Sequence, residues 1–175
     1  LIPNEIKNVL KMILDKGFEA YLVGGFVRDS FLYKKTNDID IATNALPKDL
    51  TSIFGPSRKE EKYGSYHLKI ENYNIDITTY RKELSYESGK PCKLMYSTNM
   101  LEDAKRRDFT INALYMNKNE EIIDLFNGES DLKEKRLKMI GNPYVRLRED
   151  PLRILRAVRF ASRYNLKMDK ELKRA

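Results

Sequence analysis

The stretch 20-AYLVGGFVRDSFLYKKTNDIDIAT-43 constrains the fold more than any other part of the chain. A short strand at 18–23 runs into Gly24 and Gly25, a helix follows to about Tyr33, and 38-DIDIAT-43 alternates as a strand does. Two glycines at the end of a strand leave bare backbone N–H groups at a helix N-terminus, and such groups hold phosphate oxygens well. Arg28, one helical turn on, carries a forked set of donors suited to a triphosphate. A Gly-Gly pair also makes an ordinary tight turn, with Arg28 paired to Asp29, and that reading asks for no ligand.

The aspartates weigh against the plain turn. In a strand, Asp38 and Asp40 point to one face while Ile39 and Ile41 point into the core. Carboxylates so placed, about 7 Å apart along the strand, repel each other unless a divalent cation sits between them. Hard oxygen ligands with no His or Cys beside them suit Mg²⁺, or Mn²⁺ in its place, rather than Zn²⁺. Asp76, in 74-NIDITTY-80, alternates in the same way with Ile75 and Ile77. If its strand lies beside that of Asp38, three carboxylates converge as in two-metal phosphoryl transfer. The bland alternative is a solvent-facing strand edge.

Elsewhere the pattern mixes helices and strands without the βαβ rhythm of a doubly wound sheet. Residues 3–16 open with Pro3 and read as a helix that Gly17 stops, and 47–54 reads as another. Strands at about 65–71 and 74–80 flank a turn near Asn72. From Lys82 to Met95 the periodicity fails, with Ser85, Ser88, Gly89 and Pro91 together, and the expectation is a mobile loop. A helix at 99–106, strands near 111–116 and 120–124, a short helix at 128–135 and a short strand at 137–140 follow. A helix from Asp150-Pro151 to about Tyr164 and another from Asp169 complete the chain. The expected class is α+β: a head on residues 1–140 and the start of an all-helical segment on 141–175. The first residue is Leu, and the final ELKRA reads as mid-helix, so a fragment of a longer protein is expected.

Composition sets limits on the chemistry. A single Cys92 excludes an internal disulfide and a Cys-built zinc site, and a single His67 excludes His-rich metal chemistry. Both read as structural or incidental. No apolar run approaches the ~20 residues of a membrane span and no signal peptide is visible, so a cytoplasmic protein with no membrane partner is expected. The net charge is +7, and residues 141–175 hold ten Lys/Arg against four acids. That asymmetry suits a polyanionic partner such as nucleic acid or nucleotide phosphate.

The pattern 24-GGFVRD-29 followed by 38-DID-40 resembles the signature of the class II nucleotidyltransferases, the family of tRNA CCA-adding enzymes and bacterial poly(A) polymerases. The stretches 103-DAKRRDFTINALY-115, 124-DLFNGESDLKEKRLKMIG-141 and 149-EDPLRILRAVRFA-161 are similar to that family's next three motifs, in order. The resemblance implies a polymerase-β-like head with a mixed sheet flanked by helices, followed by the start of a helical neck. It implies a template-independent enzyme that adds C and A to tRNA 3′ ends, or to other RNA 3′ ends, from CTP and ATP. A poly(A) polymerase and a CC- or A-adding enzyme share the motifs, and a non-catalytic nucleotide- or RNA-binding module is the reading from another class. The 82–95 segment, at the place of the family's flexible element, is long enough to favour full CCA addition.

The same resemblance assigns roles. Asp38, Asp40 and Asp76 would hold the metals, and Gly24, Gly25 and Arg28 the nucleotide phosphates. Arg107 and Asp108 match positions near the ribose and triphosphate, where a carboxylate accepting from a 2′-hydroxyl favours ribonucleotides. Glu149, Asp150 and Arg153 match the protein template that selects the base, with Arg156 and Arg159 as further nucleotide contacts. An Asp acceptor beside an Arg donor complements the amine and ring nitrogen that C and A share, and leaves U and G unpaired. Asp150 before Pro151 is equally the pattern of a helix N-cap.

Overall fold

Alternation along four strands builds the centre of the molecule. In the computed structural model, which describes residues 1–57, 64–87 and 90–175, six strands form a mixed sheet in the order β3-β4-β2-β1-β7-β8. These are β1 (Ala20–Val23), β2 (Asp38–Thr43), β3 (Ser65–Ile70), β4 (Tyr73–Thr79), β7 (Leu114–Met116) and β8 (Ile122–Asp124). The β2–β4 pair is parallel and the other pairs are antiparallel. Leu22, Ile39, Ile41, Ile75 and Ile77 turn to one face, where they meet Ile6, Val9, Leu10 and Ile13 of α1 (Asn4–Leu14), Phe26 and Val27 of α2 (Gly25–Phe31), and Leu50 of α3 (Pro47–Phe54). This is the main core.

The opposite face carries the acids and a smaller cluster. Val23, Ala42, Tyr80, Ala104 and Tyr115 pack together there, with Ala104 from α4 (Met100–Arg106). The register sets one row of residues straight across the sheet: Tyr115, Val23, Asp40, Asp76 and His67. Period-two geometry puts all five on one face.

Residues 82–95 correct the loop expectation. They lie in a two-stranded ribbon, β5 (Arg81–Glu87) and β6 (Lys90–Tyr96), bulged between Glu83 and Tyr86; residues 88 and 89 are outside the described residues. The ribbon is separate from the large sheet, and the side chains β5 turns inward include the charged Arg81 and Glu83, so burial there does not follow an apolar alternation in the sequence. Residues near 111 differ too, making a 3₁₀ turn (Thr110–Asn112) before β7.

The third motif is a joint. Asp124 caps α5 (Gly128–Lys133): its Oδ1 accepts from Gly128 N at 2.9 Å and its Oδ2 from Glu129 N at 3.0 Å. Buried Asp131 then accepts from Thr110 Oγ1 at 2.7 Å. Beyond β9 (Arg136–Leu137) comes α6 (Pro143–Glu149), which periodicity alone missed. Its signal was Asn142-Pro143: the Asn142 side chain accepts from Tyr144 N at 2.9 Å and Pro143 starts the first turn. Helix α7 (Leu152–Tyr164), β10 (Lys167–Met168) and α8 (Lys170–Arg174) follow, and β10 pairs in parallel with β9. Ala157, Tyr164, Leu166 and Leu172 join the main core. The apolar side of α7 at Leu152, Ile154, Leu155 and Val158 is exposed instead.

Candidate active site

One cleft of about 410 Å³ gathers most of the singled-out residues. Gly24, Gly25, Arg28, Asp40, Arg107, Asp108, Asp150, Arg153 and Arg156 all line it. Asp38, Asp76, Glu149 and Arg159 do not line it.

Gly24 shows why glycine stands at the end of β1. Its φ of 71° and ψ of −131° belong to a region that L side chains avoid, and a β-carbon there would lie 3.1 Å from Asp40 Oδ2. The bare backbone lets the Asp40 carboxylate sit against the turn. Helix α2 then starts at Gly25 and is seven residues long.

Asp40 and Asp76 are direct partners across the parallel pair, and Asp38 pairs with Asn74 one step along the same face. Asn74 Nδ2 donates to Asp38 Oδ1 at 3.1 Å, and His67 Nδ1 lies 2.5 Å from Asp76 Oδ1. Asp40's pKa is raised: loss of hydration around the carboxylate is the largest cause, although the residue still reaches solvent, and the charges of Asp76 and Asp38 add to it. Arg107 and Arg28 pull the other way without prevailing. The donor chemistry fits a hard divalent ion, and the mutual repulsion at Asp40 is what such an ion relieves. Among the described residues no three His, Cys, Asp or Glu side chains already close around a point.

Arg28 is 6% exposed and firmly held. It donates to Asp29 Oδ1 at 2.8 Å, Asn112 Oδ1 at 2.6 Å and Tyr164 Oη at 2.6 Å, and stacks 4.4 Å over the Tyr164 ring. Those bonds use three of the five guanidinium donors and leave two for a ligand in the cleft.

The second motif is organised by a residue that sequence reasoning passed over. Asp103 is fully buried and accepts from Arg106 Nε at 2.9 Å, Arg107 Nη2 at 3.1 Å and Tyr115 Oη at 2.8 Å. Burial pushes its carboxyl up, but the charges of Arg107 and Arg106 and the Tyr115 hydrogen bond outweigh that, and its pKa falls below the ordinary carboxylate value. The helical spacing from 103 to 106 and 107 was the available signal. Asp108, by contrast, has its acceptor sites filled. Oδ1 accepts from Phe109 N at 2.7 Å and Asn112 Nδ2 at 3.1 Å, while Oδ2 takes a forked pair from Arg156 at 2.8 and 2.5 Å.

In the fourth motif Asp150 serves as a helix cap: Oδ1 accepts from Leu152 N at 3.0 Å at the start of α7. Oδ2 lies 4.0 Å from Arg153 Nε, and the residue lines the cleft. Arg153 is 5% exposed and donates to Arg146 O at 2.7 Å, Glu149 Oε2 at 3.1 Å and Tyr86 Oη at 2.8 Å. Glu149 also accepts from Arg146 at 2.8 Å. It braces Arg153 rather than facing the cleft. Arg159 is exposed on α7 and has no hydrogen-bond partner among the described residues. Arg81, Glu83, Tyr86, Arg106, Asn112 and Phe160 also line the cleft, and none was anticipated as a site residue.

A mixed sheet with paired aspartates, a glycine turn against one of them and an arginine-lined cleft defines a nucleotidyltransferase head. The sequence profile of the Poly A polymerase head domain matches residues 20–138, and the chain belongs to that family. It is 41% identical over 175 residues to the CCA-adding enzyme of Enterococcus faecalis, an alignment covering 97% of this chain and 43% of that protein. The crystal structure of the Bacillus stearothermophilus CCA-adding enzyme in complex with CTP superposes with a TM-score of 0.89 at 32% identity, covering 99% of this chain and 43% of that one. A tRNA nucleotidyltransferase complexed with a primer tRNA and an incoming ATP analog gives a TM-score of 0.74 at 34% identity, covering 97% and 48%. The chain thus spans about two fifths of the length of the curated relatives it matches. Among the described residues no helix is long and apolar enough to cross a membrane.

Proposed function

We propose that the chain is the catalytic head of a cytoplasmic, Mg²⁺-dependent enzyme that adds C and A to tRNA 3′ ends from CTP and ATP, releasing pyrophosphate. The observation that carries this reading is the single cleft in which Asp40 and the Gly24–Gly25 turn face Asp150 and Arg153. Chemistry and base choice share one opening. Residues 1–140 act as the head, and 141–175 open a helical neck domain.

Each residue then has a physical task. The Gly24–Gly25 turn and the two spare donors of Arg28 orient the triphosphate, with Arg107 adding positive charge beside it. Asp38, Asp40 and Asp76 would hold divalent ions, which would supply Lewis-acid chemistry for nucleotidyl transfer. Asp108 exchanges a bond from Arg156 for the ribose 2′-hydroxyl. Asp150 Oδ2 accepts from the exocyclic amine of C or A. The Arg153 donors left over from Glu149, Arg146 and Tyr86 meet the ring nitrogen. U and G would leave buried polar groups unpaired, and a site of this kind rejects such partners strongly.

Calorimetric titration with CTP, ATP, UTP and GTP in Mg²⁺, beside an Asp150→Ala variant, tests this reading. Binding of CTP and ATP alone, lost in the variant, is the expected outcome. Indifference to the base would leave Asp150 as a helix cap only. tRNA extension by this chain is expected to be poor, because longer relatives devote more than half their length to other segments.

A further inference from the structure

The one histidine of the chain falls where composition gave it no task. On β3, His67 stands directly opposite Asp76 of β4, and Asp76 stands directly opposite Asp40 of β2. Its Nδ1 lies 2.5 Å from Asp76 Oδ1, and its own backbone N–H is tied to Ser57 Oγ at 3.0 Å. Asp76 Oδ2 has no hydrogen-bond partner among the described residues. The pair is not sealed in the core: the side chains are 19% and 48% exposed. A polar pair that open to water adds little to stability. Its contribution is geometric. A carboxylate on a strand is otherwise able to swing about its terminal torsion. Pinning one oxygen to an imidazole held on the next strand fixes where the other oxygen points.

We propose that His67 is a positioning residue for the third metal-binding carboxylate: by donating from Nδ1 to Asp76 Oδ1 it presents Oδ2 to the ion shared with Asp40. The inference rests on the metal role given to Asp38, Asp40 and Asp76 above. Partners that orient a metal-ligating group typically change metal affinity by roughly 10–100-fold, and a partly exposed pair with its histidine on the edge strand belongs at the lower end of that range.

Two measurements on the 175-residue chain test it. With a single imidazole, ¹⁵N spectra of the His-labelled protein report one ring, and Nδ1 must carry a proton; a bare Nδ1 overturns the proposal. Mn²⁺ titration followed by electron paramagnetic resonance then compares variants. His67→Leu is expected to weaken Mn²⁺ binding about tenfold with little change in the thermal midpoint. His67→Asn, which keeps a short N–H donor, is expected to recover most of the loss. In an Asp76→Asn background, His67→Leu is expected to add nothing. If Asp40→Asn weakens Mn²⁺ binding while His67→Leu does not, the positioning role falls and the metal site stands. If Asp40→Asn has no effect, the metal site itself falls, and this proposal with it. A loss in His67→Leu that His67→Asn does not recover also overturns it.

Discussion

Asp40 sits against Gly24, opposite Asp76 and beside Asp38 on the same face, and carries a pKa held above the ordinary carboxylate value. The sign of its effect on stability follows. An acid whose folded pKa is raised leaves stability intact below its unfolded pKa of about 4 and removes it as pH rises through the folded value. At neutral pH, with no divalent ion added, Asp40 therefore weighs against the fold. Asp40→Asn is expected to melt higher than the parent at pH 7 in a chelator, with the gap closing as the pH approaches 4. The same variant is expected to lose nucleotidyl transfer in a protein that has it. Thermal melts across pH, with and without Mg²⁺, check both halves. A group that costs stability and is retained for chemistry is a common trade in enzyme sites.

At the scale of elements, the β5–β6 ribbon reaches α7, the helix proposed above to select the base, through Tyr86 among the described residues. Tyr86 accepts from Arg153 at 2.8 Å, lies 5.2 Å beneath its guanidinium carbon, and itself donates to Glu83. Tyr86→Phe keeps the ring and removes the acceptor. A hydrogen bond to a charged group is worth about 1.5–3 kcal/mol, so discrimination of CTP against UTP is expected to fall by roughly tenfold or more, with the fold unchanged. Competition binding of the two nucleotides measures it. This link was not legible in the sequence, because the inward side chains of β5 include charged Arg81 and Glu83 and a bulge shifts the register before Tyr86, so apolar alternation does not mark the buried face. Elements that bury a face were legible. Ile39 and Ile41, with Ile75 and Ile77, announced β2 and β4, and of their interleaved acids Asp40 lines the cleft. His67 was readable in principle, since a turn near Asn72 sets position 67 across from 76. Asp103 was hidden because a buried acid paired to two arginines looks like any charged helix turn until burial is known. The outward apolar side of α7 was misleading for the converse reason: periodicity identifies an apolar face and is silent on what covers it.

Across the whole molecule, arginines tie the last helices to the head. Arg28 reaches Tyr164, Arg156 reaches Asp108, Arg146 reaches the carbonyls of Arg106 and Arg107 at 2.6 and 3.0 Å, and Arg153 reaches Tyr86. The positive excess of residues 141–175 is thus partly spent inside, on cleft walls, rather than displayed on a basic surface. What α7 does display is Leu152, Ile154, Leu155 and Val158, an apolar patch of the kind that promotes self-association. Leu155→Glu with Val158→Glu is expected to lower concentration-dependent association in sedimentation velocity and leave CTP affinity within twofold, since neither residue lines the cleft. The parallel β2–β4 pair has a consequence in time as well. Asp40 and Asp76 become neighbours only after the chain crosses over through α3 and β3, and such sequence-distant pairings are slow steps in folding. The helices can form early and locally. During refolding, the carboxylate pair is expected to form after the local helices and the β3–β4 hairpin, an order that pulse-labelling hydrogen exchange checks.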